Sequence, residues 1–169
     1  GEYMADAMER TILYWDLMRR RSEQHEEQKA KAVPNVLNVD AELVLDARTF
    51  KRPANYLLVR VTPPKGVTID PLKRPFVVVD PRAGHGPGIG GFKRDSEVGI
   101  AMHEGYPVYF VMFYPNPEPG QTITDVLQAL RVFVEKAKEL HGGKAPILYG
   151  NCQAGWMLTI LAADCEGLA

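Results

Sequence analysis

The stretch that decides the fold is Pro146-Ile-Leu-Tyr-Gly150-Asn-Cys152-Gln-Ala-Gly-Trp-Met-Leu-Thr-Ile-Leu-Ala162. It predicts a short apolar strand, a cysteine flanked by small residues, and an apolar helix, with almost no loop between strand and helix. This layout is typical of a nucleophile elbow, usually G-x-S-x-G, in which small residues allow a sharp turn that holds the nucleophile in a strained conformation. Cysteine stands here in the place of serine.

Cys152 has two interpretations at this position. At a helix N-terminus, partial positive charge and unpaired N–H groups favour the thiolate, which is the reactive form of the side chain. The alternative is a buried structural cysteine, because free cysteine is among the most buried residue types. The order of the upstream elements has to decide between them.

The upstream pattern alternates strands and helices. It predicts a helix over residues 4–32, an antiparallel strand pair over 41–46 and 55–62, a buried strand over 75–79, a helix over 96–104, a strand over 107–113 and a helix from Thr122 to Leu140. Such alternation implies an α/β fold with parallel strands. We therefore predict an N-terminal helical segment, residues 1–34, followed by the front half of an α/β-hydrolase fold, residues 35–169, with the elbow on the fifth strand. This agreement favours the catalytic interpretation of Cys152.

A glycine-rich loop follows the predicted strand 75–79, with five glycines among residues 84–91. α/β-Hydrolases take one oxyanion donor from this loop and the other from the N–H after the nucleophile, here Gln153. Gly84 and Gly86 are the candidate loop donors, and His85 either supports them from behind or holds the loop in shape. A Walker A motif is excluded because no Gly-Lys-Ser/Thr ends the run, whereas Gly86-x-Gly88-x-x-Gly91 leaves a nucleotide-binding module as a distant alternative.

Composition limits the remaining functions. The 169 residues are 46% hydrophobic and 24% charged, with net charge −1, which indicates a globular domain and no nucleic-acid partner. No apolar run approaches a membrane span and no signal peptide begins the chain, so we expect a cytoplasmic protein. The two cysteines are too far apart along one helix to pair, and no histidine lies at ligand spacing beside them. We expect neither a metal site nor a bound cofactor.

Three segments carry a family resemblance. The box Gly150-Asn-Cys152-Gln-Ala-Gly155 resembles the cysteine-containing lipase-like box of poly(3-hydroxyalkanoate) synthases. It is closer still to a bacterial family of large, uncharacterised α/β-hydrolase-like proteins related to those synthases, which the segments 80–92 and 119–123 also resemble. One departure is Ala154, where the box usually has glycine.

The resemblance implies a cysteine that accepts an acyl group from an acyl ester or a coenzyme A thioester, with an acid and a histidine base later in the chain. No residue here fills those two roles, so we expect the fold to be completed beyond Ala169 or by a partner chain that covers the edge after the elbow strand. We also expect this piece alone to be inactive. The rival hypothesis is a non-catalytic scaffold or binding protein with the same fold.

Overall fold

The computed structural model describes residues 1–30 (side chains to residue 23), 40–82 and 96–164. The chain divides into two compact units, Gly1–Asn35 and Val36–Ala169. The first unit contains one long helix, α1 (Glu2–Ala30). Within the described side chains, two of the three consecutive arginines 19–21 are paired along the helix: Arg19 with Asp16 at 3.0 Å and with Glu23 at 2.5 Å, and Arg20 with Asp16 at 2.8 Å. Such pairs between exposed side chains three and four residues apart are typical of a solvated helix face.

The second unit is built on a five-stranded mixed sheet. Its elements are β1 (Ala41–Asp46), a 3₁₀ turn (Ala47–Thr49), β2 (Tyr56–Val61), β3 (Phe76–Val79), α2 (Glu97–His103), β4 (Val108–Phe113), α3 (Ile123–Leu140), β5 (Ile147–Gly150) and α4 (Gln153–Asp164). The strands lie in the order β1-β2-β4-β3-β5. β2 runs antiparallel to both of its neighbours, and β3, β4 and β5 are parallel. The predicted fold class is confirmed: an N-terminal helix precedes a mixed sheet with parallel strands and helices, which is an α/β fold.

Helices cover both faces of the sheet, because successive residues of a strand point to opposite sides. Val77 and Val79 pack with α3 and α4 on one face, and Val78 packs with α2 on the other. All three valines are fully buried. The uninterrupted apolar run of β3 is therefore explained by burial on both faces, as expected from the sequence.

The start of α3 is held by a capping box in which Thr122 and Asp125 bond to each other's backbone N–H groups, as the sequence predicts. Asp125 is buried and also pairs with Arg52. The Arg52 guanidinium and then the Thr122 donors hold the pKa of Asp125 well below its usual range. This cluster ties the loop after β1 to the helix that covers the sheet.

The end of α3 is held by His141, whose Nε2 lies 3.0 Å from the buried Tyr109 hydroxyl. Its position at a helix C-terminus favours a cation that complements the helix dipole, but the structure favours the neutral ring. Burial, and then the positive charges of Arg60 and Lys144, lower the pKa of His141 from its usual 6.5, against a hydrogen bond to Pro71 that raises it. The ring therefore acts as a half-buried hydrogen-bonding link between α3, β4 and the loop before β3.

This link predicts a loss of stability at mildly acidic pH. The folded pKa of His141 is depressed, so the unfolded chain takes up its proton first as the pH falls below 6.5, and the free energy of unfolding falls until the pH passes the folded pKa. Chemical denaturation between pH 7.5 and 5 measures this slope. His141→Gln, which can still accept a bond from Tyr109, should flatten it, and the matched variant His103→Gln should not. An unchanged slope in His141→Gln would contradict this assignment.

Candidate functional site

The elbow predicted around Cys152 is a tight strand-to-helix turn in the structure. β5 ends at Gly150 and α4 begins at Gln153, so only two residues separate them. Cys152 has a backbone φ of +53°, in the left-handed region that residues with a Cβ seldom occupy. The side chain is exposed. A strained, exposed cysteine at the carboxyl end of a strand has the geometry of an elbow nucleophile.

The small residues around Cys152 are required by close packing. A Cβ at Gly150 would lie 2.7 Å from Leu158 Cδ1 and 2.9 Å from the carbonyl carbon of Ala154, distances that real Cβ atoms do not tolerate. A Cβ at Gly155 would lie 3.2 Å from the Gly150 carbonyl oxygen. Ala154 is itself fully buried, so the small methyl group of alanine is accommodated at this position. The first turn of α4 thus rests directly on the end of β5.

The first N–H groups of α4 have no acceptor inside the helix. Ala154 N donates to the Asn151 carbonyl at 3.1 Å, and Gly155 N donates to the Cys152 carbonyl at 3.1 Å. Among the described residues, no acceptor is bonded to the N–H of Gln153. This N–H follows the thiol directly, so it is free to donate to an oxygen of a group bound at Cys152.

The sheet topology places the start of a second loop, after β3, beside the elbow. Val79 at the end of β3 is paired in register with Gly150 at the end of β5. The chain leaves β3 through α2 towards β4 on one side, and it returns through α3 to β5 on the other side. The carboxyl ends of β3 and β5 therefore meet where the direction of winding reverses, which is where ligands bind in open α/β sheets.

Some of the predicted site residues lie outside the described part of the chain. Gly84, His85 and Gly86 belong to the segment 83–95, as does the alternative Gly86-x-Gly88-x-x-Gly91 motif, and Cys165 lies beyond residue 164. Cys152 and Gln153 are described and lie together at the elbow. The role of each of these residues remains a prediction.

The histidines His103 and His141 lie away from Cys152. His141 lies against Tyr109, which is near the beginning of β4. It is therefore at the opposite end of the parallel strands from the elbow. His103 ends α2, which returns the chain to the beginning of β4. Within residues 40–82 and 96–164, no histidine or carboxylate is hydrogen bonded to the Cys152 thiol. In this part of the chain the thiol lies beside a backbone donor, and no described histidine or carboxylate is bonded to it.

Sequence reasoning missed two residues at the same edge. Asp80, directly after β3, is fully buried, and its Oδ1 accepts the Arg82 N–H at 2.7 Å. Arg82 has a φ of +56° and places its guanidinium over the rings of Tyr56 and Phe113. An Asp two residues before the turn is a known local signal for such a bend. The aromatic contacts come from distant strands and have no local signal.

The described residues also bear on metal sites and membrane spans. No cluster of three or more histidine, cysteine, aspartate or glutamate side chains within them is arranged to hold a metal ion. No helix in the same part of the chain has the length and apolar character needed to cross a membrane.

The chain is similar to one protein family and to one curated relative. Residues 6–168 match DUF3141, a family described as a protein of unknown function. A curated relative, described as an uncharacterized protein in the ackA 5′ region of Rhizobium meliloti, is 56% identical over 164 residues. The match covers 95% of this chain and 22% of the relative, so the chain spans about a fifth of that protein's length. The extent of the family match shows that the chain belongs to the DUF3141 family.

Proposed function

We propose that this chain is the N-terminal part of a cysteine-dependent acyltransferase or acyl hydrolase of the α/β-hydrolase type, related to poly(3-hydroxyalkanoate) synthases. The observation that carries the proposal is the positive φ of Cys152 on a turn too tight for any residue but glycine at position 150. A buried structural cysteine has no need of this strain, and Cys152 is exposed. Strained backbone at an exposed nucleophile is a property of functional sites.

The position of the elbow supports the same assignment. In α/β-hydrolases one oxyanion donor is the N–H after the nucleophile and the other comes from the loop after the third strand. Here Gln153 follows Cys152, and the loop after β3 begins beside Gly150 because Val79 and Gly150 are paired. We assign the first donor to the N–H of Gln153 and the second to the N–H of Gly84 or Gly86. His85 would support these loop donors without contacting the substrate.

The proposed reaction uses an acyl ester or an acyl-coenzyme A thioester as substrate and no bound cofactor. The Cys152 thiolate attacks the carbonyl carbon, a carbon–sulfur bond forms, and the carbonyl electron pair moves to oxygen, where the Gln153 N–H stabilises it. When the carbonyl reforms, the bond to the leaving group breaks, and coenzyme A leaves as a thiolate that takes up a proton. The acyl group stays on Cys152 until an acceptor alcohol or water removes it.

The proposed site still needs an acid and a base. We propose that the remainder of a longer protein or a partner chain supplies them. Among the described strands, β5 pairs only with β3, so none of them covers its other edge. On α4, Trp156 and Ile160 lie one turn apart and are each 44% exposed. A strand edge that no described strand covers, beside exposed apolar side chains, is suited to another strand and helix, which would also bring the acid and the base.

The test is covalent labelling by the substrate itself. We expect 3-hydroxybutyryl-coenzyme A to transfer one acyl group slowly to Cys152 of the purified 169-residue chain, with no sustained release of coenzyme A because the base is missing. Intact mass and peptide mapping locate the adduct, and hydroxylamine should remove it. Cys165→Ala should be acylated as the parent chain is, whereas Cys152→Ala should not. No adduct at Cys152 in the complete protein would favour the non-catalytic scaffold, and steady turnover by the short monomeric chain would show that a base is already present.

A further inference from the structure

The Arg82 side chain is a partly buried cation at the carboxyl ends of the parallel strands, where Cys152 also lies. Asp80 N donates to the Val111 carbonyl at 3.1 Å and so extends the pairing of β3 with β4 by one residue. The Asp80 carboxylate then accepts the Arg82 N–H, and the chain turns through the left-handed conformation of Arg82. This turn directs the arginine side chain back over the end of the sheet.

The guanidinium lies on an aromatic platform. Its central carbon is 5.1 Å from the centre of the Phe113 ring and 5.7 Å from that of Tyr56, and its Nη1 donates to the Tyr56 hydroxyl at 3.2 Å. Both rings are buried. The platform holds the cation in place through cation–π attraction and leaves most of its five N–H donors unused by that bond.

Some arginines of this unit are neutralised by a described carboxylate, and Arg82 is not among them. Arg48 pairs with Asp46 at 2.6 Å and Arg131 with Glu135 at 3.2 Å. Among residues 40–82 and 96–164, no carboxylate forms a salt bridge with the Arg82 side chain. Removing a cation from water is costly unless an anion or strong acceptors compensate. A position that is partly buried, held on aromatic rings and without a carboxylate from these residues is suited to an anion supplied from outside.

The distance between the Arg82 platform and the elbow sets the length of the ligand between its anionic group and its reacting carbonyl. Val79 is paired with Val111 of β4 on one side and with Gly150 of β5 on the other, so these three residues are level across the sheet. Phe113, on which the guanidinium lies, is two residues after Val111, and Cys152 is two residues after Gly150. β4 and β5 are therefore two strand spacings apart, which is roughly 10 Å.

We propose that Arg82 binds a carboxylate or phosphate group of the acyl substrate while the reacting carbonyl lies at Cys152. The substrate class is then an acyl ester or thioester that carries an anionic group roughly 10 Å from its carbonyl carbon. Guanidinium groups suit either anion because they present paired donors that match its oxygens. This inference names the substrate class of the proposed site and so rests on the proposed function.

Paired alkylating reagents test the anion site without requiring turnover. The probes are 3-maleimidopropionate and 6-maleimidohexanoate, each compared with its neutral amide, and the rate of modification at Cys152 is followed by peptide mass spectrometry. We expect the longer carboxylate to react about tenfold faster than its amide, with a smaller preference for the shorter pair, because only the longer spacer reaches Arg82. The ratio of acid to amide cancels any change in the reactivity of the thiol itself.

Arg82→Gln should reduce this ratio to about one, Arg82→Lys should keep part of it, and Arg60→Gln, at the opposite edge of the sheet, should leave it unchanged. On the unmodified protein, inorganic phosphate or acetate should slow the long carboxylate and not its amide, and the stronger competitor identifies the class of anion. Two results would overturn the proposal: an acid-to-amide rate ratio near one in the protein without substitutions, or an undiminished ratio in Arg82→Gln. A charge preference at a Cys152 that thioesters never acylate would support the anion site and reject the acyl-transfer function.

Discussion

Replacing Gly150 with alanine is expected to lower the free energy of unfolding by about 2–3 kcal/mol, the upper part of the range for overpacking a tight contact. The added methyl group would lie 2.9 Å from the backbone of Ala154, which cannot move without displacing the first turn of α4. Rotation of Leu158, the other close neighbour at 2.7 Å, relieves only part of the contact. Urea denaturation of the two proteins at neutral pH measures the difference, and valine should cost more than alanine.

Gly66→Ala is the matched control for this contact. Gly66 has a φ of +87°, and no heavy atom lies within 4 Å of the position that a Cβ would take, so alanine there suffers only the conformational cost of about 1 kcal/mol. A loss at position 150 no larger than that at position 66 would show that β5 and α4 are not in the close contact on which the elbow depends.

The second large effect separates the chemistry of Cys152 from its backbone conformation. Cys152→Gly and Cys152→Ala are both expected to abolish acylation by 3-hydroxybutyryl-coenzyme A, because each removes the thiol. The glycine variant should nevertheless be the more stable of the two by about 1 kcal/mol, since only glycine adopts a positive φ without cost.

The order of stability should be reversed one residue later, at Gln153, which begins α4. There alanine should exceed glycine by about 0.5–1 kcal/mol because of its higher helix propensity. Thermal melts of the four variants measure both differences. Alanine more stable than glycine at position 152 would mean that the cysteine is not held in a strained conformation, and the main support for a nucleophile would be lost.

The elements themselves could be predicted from the sequence because their signals are local. The uninterrupted valines of β3 indicated burial on both faces, and Thr122 with Asp125 three residues later indicated the capped start of α3. The elbow was equally local, because Gly150, Cys152 and Ala154 are neighbours in the chain. Hydrophobic periodicity, capping residues and small residues at a tight turn act over a few positions, so the amino-acid order alone identified them.

The candidate site required contacts that are remote in sequence. The elbow stands beside the loop after β3 because β5 pairs with β3 rather than with β4, and Asp80 is buried because its strand is enclosed on both sides. Arg82 acquires its platform from Tyr56 on β2 and Phe113 on β4. Burial, and then the charges of Arg60 and Lys144, lower the pKa of His141. The sequence by itself determined the helices, the strands and the position of the thiol. The tertiary structure decided which groups surround it, because burial and pairing between strands depend on residues that only the folded chain brings together.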